Sequence, residues 1–164
     1  EKKSRSLMQR FGSLEVAMRQ NDLAFEVRDY LKSHPNAAVV NLGCGLDSTG
    51  RSCDNGSCKI YNLDFPDVIA VRNELLPAGE REENIPCDLN NTEWFRKIDS
   101  SNGAVFFASG VGRSARYSYN QCFRTCLDSP KNFLIFFQFG DYFFCKILYT
   151  AIRRAMPSFV MFLW

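Results

Sequence analysis

The sequence predicts an α/β fold built on a doubly wound, mostly parallel sheet with helices on both faces. Three observations predict it. Short apolar runs recur, at Ala37 to Val40, Lys59 to Leu63 and Gly103 to Ala108, each of strand length. Helical spacing fills the intervals between them. Each run ends in glycine or a polar residue: Gly43, Asp64 and Ser109, with Asp88 closing a shorter run between the last two. In an open parallel sheet such tips line one crevice, where ligands bind.

The first element is a helix from about Ser13 to Ser33. Leu23, Val27, Tyr30 and Leu31 fall at i, i+4, i+7 and i+8 and form one apolar face. Asn21 or Asp22 is placed to cap a second segment inside it. Pro35 stops the helix, and His34-Pro35-Asn36 turns the chain into the first strand. That strand breaks into Gly43-Cys44-Gly45-Leu46-Asp47. Two glycines one residue apart permit positive φ and close approach of a ligand to the backbone. A polar loop follows from Ser48 to Ser57, with Asp54-Asn55-Gly56 as a turn signal.

The second strand ends in Asp64, about twenty residues beyond the glycines, where an acid on the neighbouring strand tip can hold ribose hydroxyls. Pro66 opens a helix in which Val68, Val71, Leu75 and Leu76 keep helical spacing. Ile85-Pro86-Cys87 reads as a short third strand, at an edge because of Pro86. Asn91 or Thr92 then caps a helical turn with Trp94, Phe95 and Ile98. The fourth strand is apolar on both faces, as a central parallel strand is. Val111 to Leu127 is polar with a weak helical face. Phe133 to Phe137 reads as a fifth strand from its aromatic and branched content, and Tyr142 to Met156 as a helix ended by Pro157.

Composition narrows the function classes. The 164 residues suit one domain, and the net charge of +2 points to neither nucleic acid nor an acidic membrane surface. Arg113, Arg116 and Arg124 with Tyr117 and Tyr119 resemble a base-stacking patch, but that charge is too small to favour it. The apolar stretch from Phe133 to Ile152 contains Gln138, Asp141 and Lys146, which argues against a membrane span. Seven cysteines, an odd number, predict reduced thiols and a cytoplasmic setting. Cys53 and Cys58 with Cys122 and Cys126 sit on unrelated segments, so structural thiols are expected in preference to a zinc site. Basic residues at the N-terminus are not followed by an apolar segment, so no signal peptide is expected. Glu1 in place of Met suggests a processed or partial sequence.

The glycines alone fit a simple tight turn; Asp64 at its spacing shifts the reading to a nucleoside-cofactor site in a Rossmann-like sheet. Ser48 stands where a dinucleotide fingerprint needs glycine or alanine for helix packing, which disfavours a nicotinamide cofactor.

Asn41-Leu42-Gly43-Cys44-Gly45-Leu46-Asp47, joined to Tyr61-Asn62-Leu63-Asp64-Phe65-Pro66-Asp67-Val68, carries a more specific resemblance. Together they resemble the leucine carboxyl methyltransferase family, and within it the tetracenomycin polyketide synthesis O-methyltransferase-like group, through a GxGLD loop followed by LDxPxV. The resemblance covers roughly Gly12 to Val111. It implies a class I fold and S-adenosyl-L-methionine as cofactor. It further implies that Gly43, Cys44 and Gly45 pack against the methionine part, that Asp64 takes both ribose hydroxyls, that Asp88 and Leu89 flank the adenine, and that Arg19 pairs with the cofactor carboxylate. Ser109 stands where many relatives carry an acid.

After Val111 the text Gly112-Arg113-Ser114-Ala115-Arg116 departs from the family pattern. The expected organisation is a single, incomplete domain over 1–164: an N-terminal helical segment 1–36, a cofactor-binding core 37–110 and a divergent part 111–164, without the last strands of a full class I methyltransferase. The expected function is O-methyl transfer to a carboxylate or hydroxyl oxygen, most simply of a polyketide-like small molecule. No catalytic residue is nominated, because a sulfonium leaving group needs alignment more than acid–base help. The alternative is an inactive remnant that at most binds the cofactor. The Phe-rich end would leave the fifth strand as an exposed apolar edge, with cover by a second copy of the chain or insolubility as the two outcomes.

Overall fold

The computed structural model describes residues 7–108, 133–137 and 161–163. A long helix, α1 (Leu7–Ser33), precedes strand β1 (Ala38–Leu42), a short helix α2 (Thr49–Ser52) and strand β2 (Lys59–Asp64). Helix α3 (Pro66–Leu75) and strand β3 (Glu82–Pro86) follow, then a 3-10 segment (Thr92–Lys97), β4 (Ala104–Ala108), β5 (Phe133–Phe137) and β6 (Met161–Leu163). The strands form one sheet in the order β3-β2-β1-β4-β5-β6. Every pairing among the described strands is parallel. The order runs outward from β1 in both directions, so its topological switch point lies between β1 and β4.

Strand alternation sorts the core into two layers. On one face Val39, Ile60, Val105 and Phe107 meet Leu23, Val27 and Leu31 of α1, with the buried Cys53 and Cys58. The other face carries Val40, Leu42, Tyr61, Leu63, Ile85 and Phe106, covered by Trp94 and Ile98. Burial of each large side chain contributes about 1.5–3 kcal/mol. Tyr61 keeps its hydroxyl satisfied by accepting from the Asp99 amide at 3.2 Å.

The predicted face of α1 is the buried one, but the helix starts at Leu7 and runs without interruption past Asn21 and Asp22. The expected polar loop after Asp47 holds α2, closed by the Asp54-Asn55-Gly56 turn. Its amides at Gly56, Ser57 and Cys58 are satisfied by the Asp54 and Asn55 side chains, and Gly56 sits at φ +83. The third strand comes earlier than expected and includes Glu82, Glu83 and Asn84; as an edge strand it tolerates them and Pro86. Asn91 is the cap that forms, accepting from the Glu93 amide at 3.0 Å.

Two expectations are corrected. Of the expected stripe on α3, Val71 and Leu75 are exposed and Val68 and Leu76 half-buried; the fully buried positions are Ile69 and Arg72. Nor is β5 an open edge, because β6 pairs with it from Ile135–Met161 to Phe137–Leu163. The expected segments Val111 to Leu127 and Tyr142 to Met156 lie outside the described residues, as does Ser109. Among the described residues no helix is long and apolar enough to cross a membrane.

Candidate functional site

The site grows from the end of β1. Its ladder to β2 continues one step past the strand, the Cys44 amide donating to the Leu63 carbonyl at 3.0 Å. The chain then leaves the sheet through Gly43 at φ +64 and Gly45 at φ +46. Both values lie in the left-handed region that glycine enters without penalty. Among the described residues, none beyond its chain neighbours has an atom within 4 Å of where a Cβ on Gly45 would stand, so they leave that side of the loop open.

Asp64 is brought against this loop. Its Oδ2 accepts from the Gly45 amide at 2.8 Å and its Oδ1 from the Phe65 amide at 2.8 Å. The Asp64 carbonyl in turn accepts from the Cys87 amide at 2.9 Å, which sets Asp88 at the adjoining tip. The structure therefore brings Gly43, Cys44, Gly45, Asp64 and Asp88 to one edge of the sheet. Asp88 is exposed and bends back through Oδ1 to the Asn90 amide and side chain, both at 2.9 Å. Leu89 is half-buried against the Trp94 layer. Arg19 lies on α1 beside Gln20, whose amide group reaches Asp47 at 3.1 Å, so that turn of the helix borders the loop. The Arg19 side chain lies outside the described residues.

Cys44 is buried, and burial pushes its thiol up to about 12; the nearby Arg72 guanidinium opposes this and Asp64 adds to it. It is a packing residue in the loop, not a nucleophile at neutral pH. Burial likewise raises the Cys87 thiol to about 11.

Asp47 and Arg72 have roles that sequence reasoning missed. Asp47 Oδ1 accepts from the Thr49 amide at 2.9 Å and hydroxyl at 2.6 Å, satisfying the first amide of α2. Its Oδ2 accepts from the buried Asn41 amide group at 3.3 Å. The acid of the GxGLD pattern thus turns inward and holds the loop to β1 and α1. Arg72, only 1% exposed, donates from one terminal nitrogen to the carbonyls of Gly45 and Asp47, each at 2.8 Å, and from Nε to Asn84 at 3.2 Å. A lone arginine in an otherwise mixed helix reads as a solvated position. No local pattern in the sequence marks it as buried.

A parallel sheet with a glycine turn after its first strand and an acid on the tip of its second defines a Rossmann-like α/β protein. The chain belongs to the leucine carboxyl methyltransferase family, whose model matches residues 15–109. It is 30% identical over 83 residues to the tetracenomycin polyketide synthesis O-methyltransferase TcmP of Streptomyces glaucescens, a match covering 50% of this chain and 31% of that relative. The chain thus spans about a third of the length of the curated relative it matches. A solved structure from Methanococcus maripaludis, assigned as an S-adenosyl-L-methionine-dependent methyltransferase, aligns over 96% of this chain and 75% of its own at 14% identity, with a TM-score of 0.47.

Proposed function

We propose that this chain forms the cofactor-binding part of an S-adenosyl-L-methionine-dependent O-methyltransferase. The observation that carries the reading is the Asp64 carboxylate, clamped by the Gly45 and Phe65 amides beside the open side of the glycine loop. Each carboxylate oxygen has a second acceptor position beyond its amide bond. That suits two vicinal hydroxyls of a ribose. Gly43, Cys44 and Gly45 would pass under the methionine part, Asp88 and Leu89 would flank the adenine, and Arg19 would meet the methionine carboxylate. A carboxylate pair and a glycine turn left open by the described residues fit a nucleoside carrying hydroxyl and amino donors.

When bound, the cofactor supplies a methyl group on a sulfonium, already a good leaving group. The chain's own residues then have to bind, orient and exclude water, and no acid–base pair is required for a carboxylate acceptor. The acceptor proposed is a small molecule with a carboxylate or hydroxyl oxygen, of the polyketide kind suggested by the name of the Streptomyces relative.

The test is titration calorimetry with S-adenosyl-L-methionine and S-adenosylhomocysteine on wild type and Asp64→Ala. Micromolar binding that Asp64→Ala weakens by about a hundredfold supports the reading; two charge-assisted hydrogen bonds account for roughly 3 kcal/mol. A folded wild type that binds neither compound overturns it. Binding without turnover of any acceptor would leave the non-catalytic alternative.

A further inference from the structure

Arg72 is a charged side chain sealed inside the protein, and burial of an unsatisfied guanidinium would be costly. Its contacts are with the site just described. One terminal nitrogen donates to two carbonyls, of Gly45 and Asp47, and Nε donates to Asn84 Oδ1. Asn84 also accepts from Asn62 at 3.0 Å and donates to Asn73 at 2.7 Å, so this end of the guanidinium is fixed to β2, β3 and α3. The other end reaches, among the described residues, the backbone of the glycine loop.

The consequence follows from peptide planarity. In a trans peptide the C=O and the next N–H point in opposite directions. With the Gly45 carbonyl drawn inward to Arg72, the Leu46 N–H faces away from the guanidinium. The Gly45 N–H belongs to the preceding peptide and is spent on Asp64. The loop is therefore held from two sides: its carbonyls by a cation beneath it, and an amide by the acid beside it. Without the cation, two inward carbonyls lose their donor, and the loop relaxes by rotating these peptides.

We propose that Arg72 is the positioning residue that sets the peptide orientation of the glycine loop, and through it the affinity for the cofactor. The affinity half of this statement rests on the function proposed above; the loop-orientation half does not.

The test uses variants that separate the two ends of the guanidinium. Arg72→Gln places a carboxamide nitrogen near the position of Nε, keeping a donor for Asn84 while losing both loop carbonyls. Arg72→Lys places an ammonium near the guanidinium carbon, within reach of the carbonyls, while losing the Asn84 contact. Asn84→Ala weakens the fixed end alone. In the ligand-free protein, hydrogen exchange at the Gly45 amide is expected to quicken at least tenfold relative to global stability in Arg72→Gln, and to stay within threefold of wild type in Arg72→Lys and Asn84→Ala. Calorimetry with S-adenosylhomocysteine is expected to follow the same order, with at least a tenfold loss for Arg72→Gln only. If Arg72→Gln lowers Tm but leaves Gly45 exchange unchanged, or if Asn84→Ala loosens the loop equally, Arg72 is only a structural brace and the proposal fails. If wild type binds no cofactor while the exchange pattern holds, the proposed function fails and the loop latch stands. If Arg72→Gln does not fold, the decision passes to Arg72→Lys and Asn84→Ala: a loosened Gly45 amide in Asn84→Ala, or in Arg72→Lys, overturns the latch, and a protected one in both supports it.

Discussion

The Gly45 amide donates to Oδ2 of Asp64 across 2.8 Å, so the glycine loop and the acid on the neighbouring strand hold one another in place. The acid is fixed on its other oxygen by its own chain neighbour, Phe65. Its position does not depend on a ligand arriving.

Asp64→Asn should therefore be milder than Asp64→Ala. Asparagine keeps one acceptor for an amide but loses the charge and one acceptor. We expect an approximately tenfold loss of affinity for S-adenosylhomocysteine, about 1.4 kcal/mol, against the hundredfold loss expected for alanine. Calorimetry on the two variants side by side checks the order.

Gly45→Ala meets no steric obstacle among the described residues, none of which, beyond the chain neighbours, lies within 4 Å of the new Cβ. Its cost comes from φ +46, at about 1–2 kcal/mol for an L-residue. Thermal unfolding should show a Tm lowered by roughly 2–4 °C per kcal/mol for a chain of this size. Affinity should fall further than stability, since the methyl group projects into the open side of the loop.

Glu82 anchors the start of β3. It accepts from Arg51 Nε at 3.0 Å and from the Gly79 amide at 2.9 Å, and its side chain is only 4% exposed. Burial alone would raise its carboxyl, but the Arg51 and Gly79 hydrogen bonds outweigh that and leave it below its ordinary value of 4.5. A carboxyl lowered by folding contributes stability above its unfolded value and loses it as pH falls toward the folded one. Glu82→Gln should cost about 1–3 kcal/mol at pH 7. The gap to wild type in denaturant titrations should close as pH drops below about 4.

The four described thiols, Cys44, Cys53, Cys58 and Cys87, all have raised pKa values, with burial the first cause in each. At pH 8 they should alkylate slowly in the native protein and rapidly in denaturant. Peptide mass spectrometry resolves them individually. Fast native labelling of Cys44 would mean that the loop opens more readily than its hydrogen bonds suggest.

What was legible in the sequence was whatever burial writes as an uninterrupted apolar run. Strands β1, β2 and β4 sit at the middle of the sheet and cannot avoid such runs; Gly43, Gly45 and Asp64 then follow as their endings. Strand β3 was only half legible, because an edge strand can carry Glu82, Glu83 and Asn84. Arg72 was illegible for a different reason. Its burial is made possible by two backbone carbonyls of the glycine loop and a side chain of β3, and no local pattern encodes that convergence. Apolar Val71 and Leu75 drew the face of α3 toward themselves, although α3 meets the sheet through Ile69 and Arg72.

The register of β1 also has a kinetic side. Its pairing with β2 joins residues about twenty apart, Ala38 with Lys59, whereas its pairing with β4 joins Ala38 with Ala104, more than sixty apart. Loop closure favours the shorter span, and parallel pairing at long separation is slow to form. The glycine turn and Asp64 both belong to the short-range pair. The half of the crevice that they make can assemble early in folding, as a local unit, before the chain returns to complete the sheet on the far side of β1.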